Sequence, residues 1–119
     1  MAKNNLTKTY NLDILNLDEI SSVTIDTLSE FGKVKEITDE KTIEIVHNVF
    51  NNKTTQIESV NDNPINPEIL FSVTFKNNNG DYKLAYIYKK GNKYYIQQPY
   101  NGIYQITKDE YIIVKKTIE

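Results

Sequence analysis

The sequence predicts a single α+β domain: an antiparallel sheet, a meander of about four to six strands, with one main helix packed on one face and a short C-terminal helix. Three observations predict it. Apolar residues recur at strong helical spacing in one place, residues 38–52. Between residues 69 and 98 come three β-type runs separated by Asn-Asn-Asn-Gly-Asp and by Gly-Asn, which are turn sequences. Finally, 119 residues suffice for one core of ordinary size and not for two.

The elements follow in chain order. Residues 1–18 are polar and mixed, an N-terminal extension or edge segment at most, so the domain proper is drawn over residues 19–119. Residues 20–26 (ISSVTID) place Val23 and Ile25 at alternate positions, the period of a half-buried strand. Residues 28–37 contain Gly32 and then a second alternation, which either returns antiparallel to the first strand or serves as a connection. Thr38 and Asp39 are helix-capping types, and Ile43, Val46, His47 and Phe50 follow at helical spacing, with Ile45 and Val49 widening the stripe. Asn51 and Asn52 tolerate the left-handed conformation that ends helices.

Beyond a polar stretch with a turn at residues 61–64 comes the meander. Ile69, Phe71, Val73 and Phe75 alternate with Leu70, Ser72 and Thr74, and residues 82–88 run back. If Gly91 and Asn92 form a two-residue turn, Lys90 opposes Lys93, Lys89 Tyr94, Tyr88 Tyr95, and Ile87 Ile96. Ala85, Ile87, Tyr94 and Ile96 then share one face, and Leu84, Tyr86, Tyr88, Tyr95 and Gln97 the other. Pro99 lacks the N–H that a ladder needs and ends the strand before a tight turn over residues 100–104. Thr107 and Glu110 fit a capping box, while the β-branched run at 111–114 leaves a final strand open as the alternative.

Charge excludes one class of partner. The fourteen basic residues are all Lys, spread along the chain against sixteen Asp and Glu, so the clustered cations of a nucleic-acid binder are missing. No apolar run approaches the roughly 20 residues of a transmembrane helix. The opening Met-Ala-Lys-Asn-Asn has no apolar segment and does not read as a secretory signal.

Chemistry has little to work with. The chain has no Cys and one His, His47, which lacks the companions of a metal site and is expected to pack its ring against the sheet. Asp39/Glu40 and Asp109/Glu110 stand at helix starts, where dipole compensation explains them. No serine lies in a nucleophile motif, and the four isolated glycines build no phosphate loop. No enzyme, metal or cofactor is expected. The feature above background is tyrosine: nine residues, six of them from Tyr82 to Tyr100. A tyrosine surface suits recognition, although tyrosine also covers sheet faces for packing alone. The binding candidates are Tyr86, Tyr88, Tyr95, Tyr100, Asn101 and Tyr104.

Two stretches, TTQIESVNDNP (54–64) and KGNKYYIQQPYNGIYQI (90–106), together with the preceding helix, resemble the domain-of-unknown-function family 5301 of exported proteins and lipoproteins in low-GC Gram-positive bacteria. The likeness covers residues 20–114, with Thr55, Ser59, Asp62, Pro64, Tyr95, Pro99, Tyr100, Gly102 and Tyr104 as the matching positions. It implies a small extracytoplasmic α+β module, tethered by a signal or anchor outside this sequence, with no assigned activity and no catalytic residues. Local physics accounts for the same positions: Ser59 and Asp62 capping a turn, Gly102 supplying positive φ, Pro99 and Tyr100 fixing a corner. Two functions are therefore expected in order: a monomeric, non-enzymatic cell-envelope domain that binds a protein or envelope ligand, and, as the alternative, a small cytoplasmic acidic inhibitor or immunity-type protein.

Overall fold

Alternation in the sequence becomes strand pairing. The computed structural model describes residues 8–28, 32–59 and 68–119, with the backbone alone at Glu68 and Ile69. The turn expected at 61–64, with Asp62 and Pro64, lies outside the described residues. Eight strands are present among those described: β1 (Tyr10–Asn11), β2 (Ser22–Asp26), β3 (Val34–Ile37), β4 (Thr54–Thr55), β5 (Glu68–Lys76), β6 (Tyr82–Lys90), β7 (Lys93–Gln97) and β8 (Ile103–Ile106). Two α-helices accompany them among the described residues, α1 (Glu40–Phe50) and α2 (Lys108–Lys116), with a 3-10 turn at Leu17–Glu19. Six strands form an antiparallel sheet in the order β3-β2-β5-β6-β7-β8, and β1 pairs separately with β4. The fold is α+β, with a main helix and a short C-terminal one, as the sequence implies.

The β6–β7 hairpin pairs Lys90 with Lys93, Tyr88 with Tyr95 and Ile87 with Ile96, the register that the Gly-Asn turn dictates. Gly91 sits at φ 65°, a conformation cheap for glycine. One register differs from expectation. The β5–β6 ladder shifts between Ile69 and Phe71, so Ile69 opposes Tyr88 instead of continuing the alternation of Phe71, Val73 and Phe75. An extra residue in one strand does this and bends the sheet locally.

Both helices cover the face that carries Val23, Ile25, Val73, Phe75, Ala85, Ile87 and Ile96. From α1, Phe50 meets Phe75 edge-on at 5.2 Å between ring centres, and the buried His47 ring does so at 6.3 Å. Ile45 departs from the expected stripe: it is exposed, since Ile43, Val46, His47, Val49 and Phe50 already fill the turns that face the sheet. Asp39 caps α1 by accepting the Thr42 N–H, and hydrogen bonds from Thr42 hold its carboxyl below the ordinary range.

Residues 111–114 are helical. The Thr107 hydroxyl accepts the Glu110 N–H at 3.0 Å and Glu110 Oε1 accepts the Thr107 N–H at 2.9 Å, so the capping box starts a helix. Tyr111 then stacks on Tyr94 at 4.4 Å and on Phe71 at 5.7 Å while Val114 is buried, and this packing outweighs β-branched propensity. The N-terminal segment is bound to the body: Leu12 is buried, its N–H donates to the Lys53 carbonyl at 2.9 Å, and the Leu15 carbonyl is held by His47 Nε2 at 3.1 Å.

Lys53 Nζ also reaches Glu110 Oε2 at 2.6 Å, joining the β4 segment to the first turn of α2. Burial pushes the Glu110 carboxyl up, but the hydrogen bonds from Lys53 and Thr107 outweigh it and leave it lowered. A carboxyl more acidic in the folded state stabilises the fold above the unfolded value, near 4.5, and that contribution is lost as pH falls through the folded value. Lys53→Met is therefore expected to cost about 1 kcal/mol at pH 7 and much less at pH 3, measured by urea melts at the two pH values.

Candidate functional site

Along β6, period two puts Tyr82, Leu84, Tyr86 and Tyr88 on the face away from both helices, with Tyr95 and Gln97 beside them on β7. The rings are not equally available. Tyr88 and its cross-strand partner Tyr95 are stacked at 5.2 Å, and Tyr88 is only 6% exposed; burial, then the neighbouring Tyr95, raises its hydroxyl pKa. Tyr86 and Tyr95 are half-buried. Gln97 is buried and donates to the Ser59 hydroxyl at 2.6 Å. Residues 57–59 are fastened there by Ile103 N–H to the Ile57 carbonyl and Ser59 N–H to the Asn101 carbonyl. This corner of the open face is closed by the chain itself.

Tyr104 lies on the helix side, 1% exposed, so the structure separates it from the tyrosines of the open face. Gly102 does not supply the positive φ expected of it. Its role is steric, because a Cβ there would lie 2.7 Å from Thr55 Cγ2 and 2.8 Å from the Tyr104 hydroxyl.

The other end of β6 is open. Continuing the β6–β7 register two residues past the Tyr86–Gln97 pair sets Pro99 opposite Leu84. Proline has no N–H for the Leu84 carbonyl, and Gln98 Nε2 supplies one at 3.3 Å. The same buried amide donates to the Asp13 carbonyl at 2.7 Å and accepts from Asp13 N–H and Asn101 Nδ2, both at 2.7 Å. Asn101 Nδ2 also donates to the Asn11 carbonyl at 2.7 Å. Gln98 thus joins β6, the N-terminal segment and the turn at 98–101, with every polar valence used. Gln98→Met, equal in size but without these bonds, is expected to cost about 2 kcal/mol in a urea melt; a cost below 0.5 kcal/mol, within the ordinary range of surface substitutions, would contradict this role.

The turn closes with Asn101 N–H to the Gln98 carbonyl at 3.1 Å, leaving Pro99 and Tyr100 at its centre. Tyr100 has φ 58°, the left-handed region that glycine or asparagine normally occupies in such a turn. Its side chain is 69% exposed, and Tyr82, across a depression of about 520 Å³, is 61% exposed. Leu84, Pro99, Asn11, Asp13, Lys83, Gln98 and Asn101 complete the lining. Lys83 Nζ donates to Asp13 Oδ2 at 2.8 Å between two solvent-facing side chains. A depression of about 700 Å³ beside the start of α1 contains Leu17, Ile20 and Ile43 and, among the described residues, no aromatic ring.

Of the residues expected from the sequence to bind, Tyr100 and Asn101 line the groove, whereas Tyr86, Tyr88 and Tyr95 are not among its lining residues. Tyr82, Leu84, Asp13 and Lys83 also line it and are not among the binding candidates expected from the sequence, although alternation places Leu84 on the same face as Tyr86. The period that assigns Tyr86 to the open face assigns Tyr82 as well, so that signal was present; nothing local joins Asp13 to residues seventy or more positions away. Among the described residues, no group of three or more His, Asp or Glu could hold a metal ion, and no helix is long and apolar enough to cross a membrane.

The family model DUF5301, described as "Domain of unknown function (DUF5300)", matches residues 8–105, which include the N-terminal segment that Gln98 holds. A solved structure described as the NMR structure of the protein from Ruminococcus gnavus is similar, at 26% identity and a TM-score of 0.63, over 82% of this chain and 96% of that one. No curated protein matches.

Proposed function

Because the chain belongs to the DUF5301 family, whose description assigns no activity, we propose from its own geometry that it is a non-enzymatic binding domain that presents the Tyr82–Tyr100 groove. One observation carries the reading. A tyrosine at positive φ costs about 1–2 kcal/mol relative to an unstrained conformation, and here the side chain so held is mostly exposed beside a second exposed ring. Strain of this kind is concentrated at active sites and ligand clamps, which motivates the reading. The non-enzymatic reading is supported by His47, whose ring is buried against Phe75 and engaged by the Leu15 carbonyl on the helix side of the sheet. An extracytoplasmic, envelope-tethered location is supported by the resemblance to exported proteins and lipoproteins; a signal peptide with a lipobox encoded upstream of Met1 is the expected result, and an initiation site directly at Met1 would overturn it.

The groove is tested with Tyr100→Gly. Relief of the backbone is expected to leave stability unchanged or raise it by up to about 1 kcal/mol, because glycine adopts positive φ freely. Soluble wall polysaccharide, lipid bicelles and a secreted-protein fraction are each added to the 15N-labelled protein. One of them is expected to shift the amides of Tyr82, Lys83, Gln98, Tyr100 and Asn101, and Tyr100→Gly to suppress that shift. Silence at these amides with all three would discard the groove.

A further inference from the structure

We propose that the groove takes a neutral saccharide, an inference that rests on its being the binding site. Of the nine tyrosines only Tyr82 and Tyr100 are exposed, and they stand on the same depression, whose volume of about 520 Å³ suits a small ligand. A sugar ring has an apolar C–H face that packs against a tyrosine ring, and an edge of hydroxyls that each donate and accept.

The polar lining matches that edge. Asp13 Oδ2 is engaged by Lys83, while Asp13 Oδ1 and Asn101 Oδ1 accept no hydrogen bond from the described residues. Lys83 Nζ uses one of its three donors. Two acceptors and a multiple donor around two aromatic faces call for a ligand rich in hydroxyls. The Asp13–Lys83 pair sums to zero charge, and a pair this exposed to water is weak, so both side chains can turn to hydroxyls at little cost.

Other ligand classes fit less well. An anion would compete with Asp13 for Lys83, the one cation among the described lining residues. A peptide adding itself as a strand would need the backbone of β6, and the Leu84 carbonyl is already capped by Gln98.

The test is an amide-shift titration of the labelled full chain with neutral oligosaccharides of two to six units: cello-, malto- and N-acetylglucosamine series. At least one is expected to shift Tyr82, Lys83, Gln98, Tyr100 and Asn101 saturably. Tyr82→Ala and Tyr100→Gly should each weaken binding by about tenfold. Asp13→Asn should weaken it less, since the amide keeps one acceptor. Both tyrosine variants alter exposed side chains, and their amide spectra report directly whether they fold. If no oligosaccharide moves these amides, or saccharides move only amides elsewhere, while bicelles or secreted proteins do move them, the saccharide class falls and the groove stands; if none of the three moves them, both fall.

Discussion

Tyr88→Ala is expected to lower the unfolding free energy by about 3–5 kcal/mol, the cost of truncating a buried aromatic residue, read from urea melts. The ring is 6% exposed and stacked on Tyr95, so its removal leaves a cavity and strips its partner of a packed face. Tyr88→Phe keeps the ring and is expected to stay within about 1 kcal/mol of the parent. Tyr86→Ala, at a half-buried position, should cost distinctly less than Tyr88→Ala. A loss below 1 kcal/mol for Tyr88→Ala would mean that this ring packs against nothing, and would return it to the pool of surfaces available for recognition.

Tyr104 gives the second large effect, and substitutions there should act in opposite directions. Tyr104→Ala is expected to cost about 3–5 kcal/mol, because the side chain is fully buried beside Gly102 and Thr55. Tyr104→Phe is expected to raise stability by up to about 1 kcal/mol, since the hydroxyl has no hydrogen-bond partner among the described residues. Burial, and after it the charge of Asp13, pushes the phenol up to about 12. The unfolded chain therefore loses this proton more easily, so the stability that Tyr104 confers below pH 10 is lost as pH rises from 10 towards 12. The parent should lose roughly 2 kcal/mol more than Tyr104→Phe across that interval, measured by denaturant melts at pH 9 and pH 11.5. Equal losses in the two proteins would place the Tyr104 phenol in contact with water.

Residues near one another in sequence were the legible ones. The cap at Asp39, the pairing of Tyr88 with Tyr95, the end of β7 before Pro99 and the capping box at Thr107 follow from the neighbours of each residue, and the structure has all four. The open choice at residues 111–114 fell to the helix because Tyr111 finds Tyr94 and Phe71 to stack on. Exposure was less legible. Ile45 carries the apolar signal and faces water; Tyr104 carries the recognition signal and is in the core. Gly102 was expected to serve the backbone angle and serves a close approach.

By itself, then, the sequence determined the class of the fold, the helices and their caps, the hairpin register and the division of β6 into two faces, because periodicity and turn chemistry act within a few residues. Only the tertiary structure decided which tyrosines are covered and which flank a groove. That outcome depends on Asp13 meeting Gln98 and Asn11 meeting Asn101, contacts that span 85 and 90 residues of chain. Burial is set by whatever segment arrives overhead, and period and propensity carry no record of its arrival.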